Sequence, residues 1–144
     1  MTSPTDIVRG FYDALGRGDL AGLLSLLDSQ VEWTEAERFP YYSGTWLGPQ
    51  AVVDNLLVPL SQDWDPFSAK ADEFIAQGER VVALGTYSGT SKKTGKSFRS
   101  AFAHVWTVRG GKLARFNMHA DTAKVLEAID DERAEDFRSI AAAL

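Results

Sequence analysis

From Phe67 onward the hydrophobic period of this chain changes from nearly four residues to two, and no other feature constrains the fold as much. Four β-rich runs follow, FSAKADEFIAQ, RVVALGTYSGTS, KSFRSAFAHVWTV and KLARFNMHA, divided by Gly78-Glu79, Thr94-Gly95 and Gly110-Gly111. Short glycine-bearing breaks between strand-like runs are hairpin turns, so this half is an antiparallel meander. The half before it reads as helices. Ser3-Pro4-Thr5-Asp6 supplies an N-cap, a proline at N1 and an acid at N3, and Ile7, Phe11, Ala14 and Leu15 recur at helical spacing up to Gly16-Arg17-Gly18. Asp19 caps a second helix bearing Leu20, Leu23, Leu24 and Leu27. VEWTE (31 to 35) is a short strand with Val31, Trp33 and Glu35 on one side, and AERFPYYSGTW is a turn-rich loop. Gly48-Pro49 opens a third helix through Val52, Val53, Leu56, Leu57 and Leu60, which Pro59 should kink or end early. Asp121-Thr122-Ala123-Lys124 begins another helix, and DERAEDFRSIAAAL continues the helical composition with Phe137, Ile140 and Leu144 on one side.

With 144 residues, 44% of them hydrophobic, the chain suits one domain with a substantial core. The absence of cysteine excludes disulfides, zinc fingers, thiolate nucleophiles and iron–sulfur clusters, and fits a reducing compartment. MTSPTD has neither a basic n-region nor an apolar h-region, and no apolar run is long enough to span a bilayer. A cytoplasmic protein without a membrane partner is expected. A net charge of −5 argues against a nucleic-acid partner, and SKKTGK reads as a solvated turn.

The two histidines flank the last hairpin. If Gly110-Gly111 is a two-residue turn, Arg109 pairs with Lys112, His104 lies opposite Asn117, and Phe102 lies opposite His119. One face then holds Phe102, His104, Trp106, Arg115, Asn117 and His119, with Asp121 at the strand end; Ala83, Gly85 and Tyr87 join it across the preceding turn. The other face holds Ala101, Ala103, Val105, Phe116, Met118 and Ala120, with Val82, Leu84 and Thr86. Leucine-striped helices need an apolar face to cover. The histidines are therefore expected on the outer face, His104 beside the bare Gly85, and Tyr87, Phe102, His104, Trp106, Asn117 and His119 are expected to form a homodimer surface with aromatic anchors.

The segments FYDALGRGDLAGLLSLLDSQVEW, GTWLGPQAVVDNLL, FAHVWTVRGGKLARF and ADTAKVLEA, in this order, resemble the nuclear transport factor 2-like superfamily. Within it the chain is most similar to the SnoaL-like, ketosteroid isomerase-related bacterial group. The resemblance covers about residues 5 to 128 of a single domain and leaves 129–144 as a C-terminal helical extension. It implies an α+β fold, in which a cone-shaped, curved antiparallel sheet packs on three N-terminal helices and is followed by a C-terminal helix. It implies no cofactor. The isomerase's aspartate base, helix-one tyrosine and protonated strand aspartic acid fall on Trp33, Phe11 and Ala103, with Tyr12 adjacent to Phe11. The positions that carry the epoxide hydrolase carboxylates fall near Ala103 and Met118. Neither set of acid–base groups is reproduced, and a fold by itself does not carry an activity.

Glu35 is the leading catalytic candidate, because it shares a strand face with Trp33 and an aromatic wall raises a carboxylate pKa toward the range useful for proton abstraction. Its alternative is to turn outward and pair with Arg38. His119 and Asp121 are weaker candidates, similar to the histidine and aspartate of the cyclases, with Asp121 also suited to capping the last helix. His104, His119 and Asp121 start too far apart for a metal site, so none is expected. Phe11, Tyr12, Trp33, Ala103, Phe116 and Met118 are expected to line an apolar cone roofed by Phe39, Tyr41, Tyr42 and Trp46. The expected function is binding of a small hydrophobic, cyclic or carbonyl-bearing molecule, with acid–base isomerisation or polyketide cyclase-like chemistry through Glu35. The alternative is a non-catalytic ligand-binding or protein-interaction dimer.

Overall fold

A computed structural model of the chain describes residues 2–130. The helical reading of DERAEDFRSIAAAL, with Phe137, Ile140 and Leu144, lies outside the described residues. Helix α1 (Pro4–Arg17) is capped as its sequence requires: Ser3 accepts from the Asp6 amide, Asp6 reaches back to the Ser3 amide, and Gly18 ends the helix at φ 69°. Asp19 accepts from the Gly22 amide at 2.9 Å and opens α2 (Leu20–Leu26). The third helix is interrupted: α3 (Pro49–Val52) passes through a π-helical turn (Val53–Leu57) into α4 (Val58–Asp63). Pro59 has no amide hydrogen and its ring crowds the preceding turn. The wider turn just before it accommodates that, so the helix continues where a simple stop was one expectation. Among the described residues no helix is long and apolar enough to cross a membrane.

Six strands, β1 (Leu27–Thr34), β2 (Thr45–Leu47), β3 (Trp64–Gln77), β4 (Arg80–Ser91), β5 (Ser97–Arg109) and β6 (Lys112–Ala120), form one sheet in the order β2-β1-β6-β5-β4-β3. Among the described residues only β1 and β6 pair in parallel; the last four strands are the expected meander. The short strand β2 comes from what the sequence presents as loop, and it borrows its order from Trp33 opposite Trp46. Helix α5 (Thr122–Ile129) follows β6 and buries Val125 and Ala128. Bulges at Ala71/Glu73 in β3 and in the last hairpin bend the sheet around α1.

That last bulge overturns the expected facing of the sheet. Arg109 does pair with Lys112 and Val108 with Leu113, but Thr107 then pairs with Arg115, so one residue, Ala114, is extra in β6. Beyond it His104 lies opposite Met118, and Ala103, not Phe102, lies opposite His119. A one-residue slip exchanges the faces of a strand. Phe116 and Met118 therefore share the concave side with Phe102, His104 and Trp106, all five buried. The physical reason is size: this arrangement packs Phe102, Trp106 and Tyr87 under the helices, whereas the expected one would have packed Ala101, Ala103 and Val105 there. Tyr87, Phe102, His104 and Trp106 thus lie inside the cone and not on an outer dimer surface. Of the residues expected on that surface, Asn117 and His119 remain on the convex side.

Candidate functional site

The helices and the concave sheet enclose a cavity of about 420 Å³. Its floor is Phe11 and Leu15 from α1 with Trp33, Phe116 and His104 from the sheet. One wall comes from the interrupted helix (Leu56, Leu57, Leu60), the other from Phe67, Ala69 and Tyr87, and Phe39 closes the loop side. Trp33 stacks on Phe116 at 3.9 Å between centroids, a contact created by the parallel pairing of β1 with β6. Leu15, the three leucines of the interrupted helix, Trp64 and Phe67 are additions to the expected lining, although the leucines continue from Val53 at i+3, i+4 and i+7 and so mark the covering stripe.

Glu35 follows the end of β1 and points inward. Trp33 Nε1 donates to Glu35 Oε1 at 2.9 Å, and the residue is 5% exposed. The outward pairing with Arg38 is not adopted. Burial raises the carboxyl from 4.5 to about 7, against the lowering influence of the Trp33 hydrogen bond. This is a carboxyl that exchanges its proton near neutral pH within an aromatic cavity, a combination suited to general acid–base chemistry.

His104 lies deeper. Its Nδ1 is 2.5 Å from the Tyr12 hydroxyl and its Nε2 is 2.5 Å from the Tyr87 hydroxyl, while Trp106 Nε1 donates to Tyr12 at 2.9 Å. Burial holds His104 well below the ordinary imidazole range, with the nearby charge of His119 acting in the same direction. Burial likewise raises Tyr12 and Tyr87 far above the usual phenol range, and the Glu35 carboxylate adds to the effect on Tyr87. All three side chains are therefore neutral.

The other candidates lie elsewhere. Tyr12 is buried behind Phe11 and holds His104, and Met118 is buried beneath the floor. Ala103 points to the convex side, correcting its placement in the pocket. Trp46 packs in the core against the sheet edge, and Tyr42 is 41% exposed. Tyr41 fastens the loop: it donates to Asp63 Oδ2 at 2.7 Å and accepts from Trp64 Nε1 at 3.0 Å. His119 is exposed on the convex side, and Asp121 is exposed at the start of α5. Neither lines the cavity, which removes the geometric basis for the two weaker catalytic candidates. Asp121 occupies the N-cap position but makes no side-chain capping bond; its amide instead donates to Ser100 Oγ. With His104 and His119 on opposite faces, the pair does not converge with Asp121. Among the described residues no cluster of three or more His, Asp or Glu is arranged to hold a metal.

A six-stranded curved sheet wrapped on N-terminal helices around an aromatic-lined cavity defines a nuclear transport factor 2-like α+β protein. More narrowly, the chain belongs to the SnoaL-like domain family, whose profile matches residues 8–116. It is similar to a nuclear transport factor 2-like protein of Burkholderia thailandensis at 37% identity, covering 90% of this chain and 99% of that one with a TM-score of 0.87. A nuclear transport factor 2-like protein of unknown function from Burkholderia pseudomallei is 32% identical, over 90% and 98% of the two chains, with a TM-score of 0.81. TerC, co-crystallised with polyporic acid, is 30% identical over 88% and 98%, with a TM-score of 0.77. No protein of curated function matches the chain by sequence.

Proposed function

We propose that this protein binds a small, flat, carbonyl-bearing molecule in its cone and that Glu35 moves a proton on it, as in an isomerase or a polyketide cyclase. The observation that carries the reading is Glu35 itself, a buried carboxyl raised to about 7 in a cavity of aromatic rings and leucines. A base with that proton affinity is close to matched to neutral pH, where general acid–base catalysis contributes about 10²–10⁴-fold. The co-crystallisation of TerC with polyporic acid supports a small organic ligand. The assembly belonging to this reading is a cytoplasmic homodimer through the convex face. There Ile75, Val82 and Val105 lie in one row and Leu84 and Ala103 in the next, with Asn117 and His119 beside them.

The experiment is deuterium exchange of 2-tetralone, a flat enolisable ketone, followed by NMR in D₂O. The wild type should accelerate loss of the α-protons, and Glu35→Gln should remove most of that acceleration while still binding the ketone. Binding without acceleration by the wild type would favour the alternative of a non-catalytic carrier or sensor. Failure of the wild type to bind 2-tetralone would count against ligand uptake in the cone.

A further inference from the structure

We propose that the Tyr87 hydroxyl is the hydrogen-bond donor of the cavity, freed for a ligand by a one-way chain from Trp106 through Tyr12 and His104, so that the ligand presents a neutral acceptor oxygen, a carbonyl, to Tyr87. The ligand part of this rests on the cavity-binding reading above; the direction of the chain does not.

The direction follows from counting protons. An indole N–H can only donate, so Trp106 gives its hydrogen to the Tyr12 oxygen. Among the described residues the Tyr12 hydroxyl has just one other hydrogen-bond partner, His104 Nδ1. The indole cannot accept, so the Tyr12 hydrogen goes to Nδ1. A neutral imidazole that accepts at Nδ1 carries its hydrogen on Nε2, and this N–H donates to the Tyr87 oxygen. The hydrogen of Tyr87 is then the one left over. Tyr87 lines the cavity, whereas Tyr12 does not, and among the described residues Tyr87 has no second hydrogen-bond partner. The opposite direction would leave the Tyr12 hydrogen buried without an acceptor, at a cost of about 1–3 kcal/mol. A protonated ring would have the same fault, since Nδ1 would then donate to Tyr12.

Successive donation polarises each member of such a chain and strengthens the last donor. Among the described residues, those lining the cavity include no lysine or arginine but do include Glu35 and Asp65, a lining that disfavours an anionic ligand. A neutral carbonyl compound gives Tyr87 its missing acceptor and leaves Glu35 to act on an adjacent proton. Tyr12 and His104 act through Tyr87 and are positioning residues.

Two measurements on the full chain test this. In protein labelled with ¹⁵N-histidine, the one-bond N–H coupling of His104 should fall on Nε2; a hydrogen on Nδ1 would overturn the proposal without reference to any ligand. The second compares fluorenone with fluorene, which differ by one carbonyl oxygen and have no enolisable position. Tyr87→Phe should reduce the wild-type preference for fluorenone by about 2- to 12-fold, the range of one net hydrogen bond, with fluorene affinity little changed. An unchanged preference would show that Tyr87 is not the donor. If neither compound binds the wild type, the cavity-binding reading fails and takes the ligand assignment with it.

Discussion

Glu35→Gln should make the folded protein more stable at pH 8 while changing little at pH 4.5. The carboxyl stands at about 7 in the folded state against 4.5 ordinarily. Between those values the native protein keeps a proton that the unfolded chain releases, so stability falls as pH rises from 4.5 through about 7 and then levels off. At about 1.4 kcal/mol for each tenfold change in proton affinity, the displacement corresponds to about 3 kcal/mol. The substituted amide keeps the shape and an oxygen for Trp33 Nε1 but has no proton to lose. His104 works in the other direction: its folded-state value is depressed, so its contribution is present above the ordinary histidine range and is lost as pH falls. Being common to both proteins, that contribution largely cancels in the difference between them. Urea titrations at pH 4.5, 6, 7 and 8 should therefore show the variant gaining on the wild type by about 3 kcal/mol across the series, equivalent to about 10 °C in Tm for a domain of this size. Parallel pH profiles would refute a displaced Glu35, and with it the main physical support for a catalytic role.

Gly85→Ala should cost about 2–3 kcal/mol in urea denaturation, because a Cβ there would lie 2.1 Å from the Lys70 carbonyl oxygen and 2.6 Å from the Phe102 ring, where β3 bulges against β4; a neutral substitution would mean that the strands do not approach so closely. Ala103→Trp should leave fluorenone uptake unchanged and, if the convex face is the dimer surface, yield a monomer by light scattering. Loss of uptake with the dimer intact would return Ala103 to the cavity. Tyr41→Phe, which removes the hydrogen bond to Asp63, should speed amide exchange in residues 38–44 while leaving β5 and β6 protected; unchanged exchange would mean that other contacts hold the loop.

Much of the fold was legible because its signals are local. The capping box at Ser3 and Asp6, the left-handed stop at Gly18, the leucine stripes and the glycine turns each act within a few residues, and the elements they mark formed there, except that Leu27, expected on the second helix, instead opens β1. The inward turn of Glu35 was legible as one of two alternatives, since a period of two ties it to Trp33. What the sequence could not carry was the pairing of strands beyond the last turn. The Gly110-Gly111 turn sets the first two pairs of that hairpin, but a single unpaired residue at Ala114 reverses every later side chain, and no local preference marks that site as a bulge. The tertiary structure decided it, because only the assembled cone can compare burying Tyr87, Phe102 and Trp106 beside Phe116 with burying Ala101, Ala103 and Val105 there. The same slip took His104 from an expected outer surface to the bottom of the cavity, between Tyr12, 92 residues away, and Tyr87, 17 residues away. Composition and periodicity determined the helices and the meander; packing volume, which is a property of all the elements at once, determined which polar groups meet.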